Sequence, residues 1–130
     1  MSDDPRQTLG VLGERVAARW YAAHGYVVLA RRFRSGHRDL DLVVARDGVV
    51  AFVEVKARRG TAYGGPIEAV HWRKRRELAR SAYVWIARFG RAGLAYRFDV
   101  FGVLVGPAGP GGRRVRVLHL ADAFQVPAVT

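Results

Sequence analysis

The runs Asp39-Leu-Asp-Leu-Val-Val-Ala45 and Val49-Val-Ala-Phe-Val-Glu-Val-Lys-Ala57 are both β-rich, and only Arg46-Asp47-Gly48 separates them. An Asp-Gly pair between two such runs is a strong signal for a tight antiparallel hairpin, because both residues tolerate the positive φ that the turn demands. With Asp47 and Gly48 as the turn, Arg46 pairs with Val49, and stepping outward sets Asp41 opposite Glu54 and Asp39 opposite Lys56. Cross-strand partners share a face with Cβ atoms about 4.5–5.5 Å apart, so the turn predicts two carboxylates and an ammonium on one patch. The other side of the hairpin would carry Leu40, Leu42 and Val44 against Val53 and Val55, an apolar core face.

Like charges facing each other on a sheet destabilise it unless something compensates. A divalent cation is one compensator. Mg²⁺ takes a few carboxylate oxygens and keeps several waters, a set that suits phosphodiester hydrolysis, where the metal polarises phosphate and acidifies the attacking water. A cross-strand salt bridge, with Lys56 neutralising Asp39 and Glu54, is the structural alternative. The residues alone leave both open.

Charge narrows the choice of partner. The 130 residues include 22 Lys and Arg against 11 Asp and Glu, a formal net charge of +11. Such a field attracts polyanions, and the basic residues also cluster at 31–38, 73–76 and 113–116, which favours nucleic acid. Arg31, Arg32, Arg34, Arg58, Arg59, Arg73, Lys74 and Arg76 are the candidate phosphate contacts. Only Lys56 and Lys74 are Lys, so these two positions are candidates for a role that needs a compact ammonium. Cysteine is absent, which excludes disulfides and thiolate zinc sites, and the four histidines have no close ligand spacing. No run of about 18 apolar residues exists and MSDDPRQTLG is polar, so neither a membrane span nor a signal peptide is expected and the cytoplasm is the expected location.

Length and patterning indicate one domain over 1–130, with 1–7 flexible. Thr8 can cap a helix to about His24 with Leu9, Leu12, Val16 and Trp20 as its apolar stripe and Gly25 as its stop. Tyr26–Leu29 reads as a short strand, followed by a basic loop, Arg31–Arg38. A second helix starts at or soon after Pro66 and runs to about Phe89, with Leu78, Ala82, Trp85 and Phe89 on one stripe. Strands Tyr96–Val105 and Arg113–Leu120 follow, joined by a Gly/Pro loop at 106–112. Asp99, flanked by Arg97, reads as a structural ion pair. The order α β ββ α ββ predicts an α/β sandwich, a central mixed sheet flanked by helices.

Asp41, twelve intervening residues and Glu54-Val-Lys56 resemble the PD-(D/E)xK nuclease superfamily. More narrowly, the chain resembles the YraN-type proteins, which are similar to archaeal Holliday-junction resolvases. The features that carry this likeness are Gly10-x-x-Gly-Glu14, Gly25-Tyr26, Asp39-Leu-Asp-Leu42, Phe52-Val-Glu-Val-Lys56, Lys74, Arg97-Phe-Asp-Val100 and Ala123-Phe124. The resemblance implies a restriction-endonuclease-like three-layer fold and a Mg²⁺- or Mn²⁺-dependent endonuclease acting on DNA. Asp41 and Glu54 would be its metal ligands, Lys56 the catalytic lysine and Glu14 an accessory carboxylate. Similarity to resolvases suggests branched DNA, for which a homodimer would suit the cutting of two strands. Where the family usually reads Gly-Glu-Ile-Asp, this chain has Arg38-Asp39-Leu40-Asp41. A nucleic-acid-binding module that keeps the fold without catalysis is the other reading.

Overall fold

A computed structural model describes residues 5–36, 38–60 and 72–124. Its elements are α1 (Pro5–Ala23), β1 (Val27–Phe33), β2 (Leu40–Arg46), β3 (Val49–Arg59), α2 (Trp72–Phe89), β4 (Ala95–Gly109) and β5 (Gly112–Phe124). They form one five-stranded sheet in the order β1-β2-β3-β4-β5. β3 and β4 are parallel, with α2 as the crossover between them, and the other neighbours are antiparallel. Alternate residues of the strands face opposite helices. Leu42, Val44, Val53 and Val103 pack with Ala17, Ala18 and Tyr21 of α1, while Val43, Val50, Phe52 and Phe98 pack with Leu78, Ala82 and Trp85 of α2. The result is the expected α/β three-layer sandwich, consistent with a restriction-endonuclease-like fold.

Several elements depart from the sequence expectation. Thr8 lies inside α1, which already begins at Pro5, so it is not the cap. The buried face of α1 is Ala17, Ala18 and Tyr21, with Leu12, Val16 and Trp20 only at its margin, because the helix approaches the sheet through its small residues. β1 continues through Arg31, Arg32 and Phe33, which the sequence places in a loop. The 106–112 segment is not a loop either, since β4 runs to Gly109 and pairs with β5 from Gly112, with Pro107 at a bulge between Val105 and Ala108 and Pro110 in the turn. Phe89 ends the α2 stripe half exposed, its ring edge-on to Phe33. Residues 66–71, where the second helix was expected to start, lie outside the described residues.

Gly13 sets how closely α1 meets the sheet. A Cβ there would stand 2.7 Å from the Ala57 Cβ and 3.3 Å from Val55 Cγ1, whereas one at Gly10 would meet nothing within 4 Å. Gly13→Val will overpack this contact and cost about 2–3 kcal/mol, while Gly10→Ala will stabilise by about 0.5–1 kcal/mol through helix propensity. Urea unfolding checks both. Equal midpoints for the two variants would show that α1 is free to move off β3.

Candidate functional site

The hairpin of β2 and β3 folds in the register that Asp47-Gly48 dictates, from Arg46↔Val49 out to Leu42↔Val53. Asp47 and Gly48 both take positive φ, 51° and 77°. The regular ladder then stops one step short of the carboxylates. Leu42 packs on the α1 side, but Leu40 and its β1 partner Phe33 pack on the α2 side. In a regular strand residues 40 and 42 would share a face, so Leu40 leaves the face the sequence assigned to it. The break coincides with Arg32, whose φ of 48° is a left-handed conformation that an arginine adopts at a cost.

Asp41 sits at this break. It turns its carboxylate across to β3, where Oδ2 accepts the Val55 N–H at 2.8 Å. That side-chain bond takes over from the backbone ladder. Asp39 therefore lies outside β2, paired with Arg34 at 3.8 Å, and is not the cross-strand partner of Lys56. Glu54 is buried on the α2 side of β3, and its Oε1 is held by the Lys74 ammonium from α2. Lys56 follows on the same face of β3, half buried. Glu14 shares the Ala18 and Tyr21 face of α1, which is the face turned to the sheet, and accepts Arg32 Nε at 3.0 Å.

Burial raises the Asp41 carboxyl first, and the Glu54 charge raises it further. The Val55 N–H opposes them, Glu14 adds to the rise and Lys74 offsets part of it, leaving Asp41 at about 7. Asp41 and Glu54 line a cleft of about 650 Å³ together with Arg38, Asp39, Glu77 and Arg80. Ser81, fully buried on α2, donates to the Arg38 carbonyl and so ties the segment before β2 to that helix. Arg38 in turn is clamped by Glu77 at 2.7 Å.

The candidate phosphate contacts divide by environment. Lys74 and Arg32 are engaged with Glu54 and Glu14, and Arg34 with Asp39. Arg31 on β1, Arg58 and Arg59 at the end of β3, and Arg73 and Arg76 on the first turns of α2 are exposed. Sequence reasoning missed the ion pair of Lys74 with Glu54 and the cleft residues Arg38, Glu77 and Arg80. Helical spacing did carry a signal for the first, because Lys74, Glu77 and Ser81 recur at i, i+3 and i+7 beside the Leu78 stripe.

Among the described residues, no set of three or more His, Asp or Glu side chains is close enough to cage a metal. The donor set still fits Mg²⁺ or Mn²⁺. Asp41 meets the Val55 N–H through Oδ2 and Glu54 meets the Lys74 ammonium through Oε1, and both carboxylates line the cleft. Two hard oxygens on an open cleft suit an ion that fills the rest of its shell with water. Nor is any described helix long and apolar enough to cross a membrane.

Comparison with known proteins places this geometry in a family. Residues 13–103, which contain Glu14, Asp41, Glu54, Lys56 and Lys74, match the family described as Uncharacterised protein family UPF0102. A UPF0102 protein of Symbiobacterium thermophilum is 46% identical over 118 residues, covering 89% of this chain and 95% of the relative. One from Frankia alni is 44% identical over 120 residues, covering 92% and 96%, and one from Alkaliphilus metalliredigens 39% over 118 residues, covering 91% and 98%. The match extends over nearly the whole of each relative, and the chain belongs to the UPF0102 family, that of the YraN-type proteins it resembles.

Proposed function

We propose that this protein is a metal-dependent endonuclease that binds DNA through its Arg-rich surface and hydrolyses phosphodiester bonds at the Asp41–Glu54 cleft. The observation that carries the reading is the placement of two carboxylates together in a chain with a net charge of +11. A protein so rich in Arg could have neutralised Asp41 cheaply. Instead the strongest charged influence on it is a second carboxylate, the kind of unfavourable arrangement that accumulates at functional sites.

Asp41 and Glu54 would hold Mg²⁺ or Mn²⁺. When bound, the ion would polarise a phosphate oxygen and favour ionisation of the attacking water. Lys56, on the same face of β3 as Glu54, would stabilise the charge that builds on phosphorus. Arg38 and Arg80, on the cleft wall, would orient the phosphate, with Glu77 fixing the Arg38 guanidinium. Glu14 acts through Arg32, which packs at the break that aims Asp41, and is a positioning residue. Branched DNA is the preferred substrate suggested by similarity to resolvases.

The second reading is a nucleic-acid-binding module without catalysis, favoured by one observation, the Lys74 ammonium that already neutralises Glu54. Incubating linear, flapped and four-way DNA with Mg²⁺ or Mn²⁺ separates them. Wild type will cut, and Glu54→Ala and Lys56→Ala will each lose at least about 100-fold, more than the 10–100-fold typical of outer-shell changes. Equal residual cleavage in all the proteins would mean contamination and would leave the binding module as the better account.

A further inference from the structure

The basic cluster at 113–116 has no part in the cleft, yet the sheet carries it to a telling position. We infer that the β4–β5 hairpin is a second, sequence-independent contact for duplex DNA, set on the same face as the carboxylates. The inference rests on the reading above that the protein acts on nucleic acid.

The register carries the argument. β3 pairs with β4 only as far as Arg59↔Val105, and Gly60 N–H closes that end on the Val105 carbonyl at 2.9 Å. β4 continues to Gly109 and returns as β5, so the hairpin projects past the end of β3 as a ribbon that pairs with no third strand among the described residues. Arg58 pairs with Leu104, and Leu104 pairs with Arg116. These three share a face, and by the two-residue alternation of β3 it is the face of Lys56 and Glu54. Four residues along β3 at about 3.3 Å each and two strands across at about 4.8 Å each put Arg116 roughly 16 Å from Glu54. At 3.4 Å per base pair that is about five base pairs of duplex.

The hairpin's surface is suited to a phosphate backbone. Arg113, Arg114 and Arg116 are exposed. No acidic residue lies between Asp99 and Asp122. A hollow of about 480 Å³ at the base of the ribbon is lined by Gly60, Leu104, Gly106, Arg114 and Arg116. Positions 106–112 hold nothing larger than proline, so the tip can lie close to a duplex. The same positions offer no Asn, Gln or Arg to read a base edge, and contacts to phosphate alone position a protein without specifying sequence.

The experiment measures binding of a fluorescent 20-base-pair DNA duplex in EDTA, so that no cleavage enters, across a salt series. Arg114→Ser/Arg116→Ser will lower affinity at least about tenfold and reduce the slope of log K against log salt by about 2, each lost phosphate contact counting about 0.9. The control Arg15→Ser/Arg19→Ser removes the same charge from α1, on the other side of the sheet, and will change the slope by less than about 1. Equal losses in the two double variants overturn the inference and leave the nuclease reading standing. Absence of duplex binding by wild type overturns both, and a preference for RNA duplex over DNA overturns the assigned partner. Unchanged thermal unfolding of both variants shows that binding alone was altered.

Discussion

Asp41→Asn will abolish Mn²⁺-dependent cleavage and at the same time make the protein harder to unfold at pH 8. Both effects come from one carboxylate. Burial and the neighbouring Glu54 and Glu14 charges hold Asp41 at about 7, well above its ordinary 3.8, so the ionised form opposes folding. The sign follows from proton linkage. Between pH 4 and 7 the native state keeps a proton that the unfolded chain has lost, so this group's contribution to stability falls as pH rises through that window and is flat above it. Asparagine keeps an oxygen for the Val55 N–H and carries no charge. Its advantage over wild type will be small near pH 4, will grow with pH and will level off above about 7, at on the order of 2 kcal/mol. Urea unfolding at pH 5 and pH 8 measures it, and an Asp41→Asn protein less stable than wild type at pH 8 would sink the argument. A metal held at the proposed site would displace the same proton. Calorimetry of Mn²⁺ binding in buffers of different ionisation enthalpy will show wild type releasing about one proton at pH 6 and almost none at pH 9. In Asp41→Asn the binding itself will be lost.

The same residue marks how far the sequence could be read. Register followed from Asp47-Gly48 because a two-residue turn leaves no freedom in the pairing that leaves it, and the ladder obeys it to Leu42↔Val53. Beyond that pair the chain is governed by Arg32, two strands' width from β3 and with no local signal for a left-handed φ. Placing Asp41 next to Glu54 was therefore legible, whereas its hydrogen bond to Val55 and the exclusion of Asp39 were not. Glu14 shows the opposite error. An apolar stripe of Leu12, Val16 and Trp20 looked like the buried face of α1, but Gly13 and Ala17 let that helix sink closer to the sheet than large residues allow, which turns Glu14 inward. The Gly/Pro segment misled for a related reason. Its prolines sit at the bulge between Val105 and Ala108 and in the turn after Gly109, where no ladder N–H is required of them.

Asp99→Ala will be strongly destabilising, and the bonding of Asp99 shows by contrast what singles out Asp41 as the candidate functional carboxylate. Both side chains are withdrawn from water and lie on the sheet. Asp99 is fully buried and receives Arg97 Nε at 2.9 Å, the Tyr21 hydroxyl at 2.8 Å and the Asp122 N–H at 3.0 Å, with His119 Nε2 at 2.9 Å. Arg97 extends the network to the Tyr26 hydroxyl at 2.8 Å. Burial alone would raise this carboxyl, but the bonds from Arg97, His119, Asp122 and Tyr21 outweigh it and hold it below the ordinary range. Its contribution is therefore complete above pH 4 and is lost as pH falls through the lowered value, the reverse of Asp41. Removing it strands the Arg97 guanidinium and the Tyr21 hydroxyl between α1 and β4, and breaking a buried pair in this way costs about 3–5 kcal/mol. A domain this size has about 5–15 kcal/mol in all, so Asp99→Ala will be partly unfolded at 37 °C and Asp99→Asn, which keeps one acceptor, will lose less. Circular dichroism melts of the two variants check the order. Duplex binding by Asp99→Asn at 15 °C, where it remains folded, will match wild type, because Asp99 lies on the α1 side of the sheet whereas Glu54, Arg114 and Arg116 face the α2 side. A selective loss of cleavage in a folded Asp99→Asn protein would instead make this network part of the site.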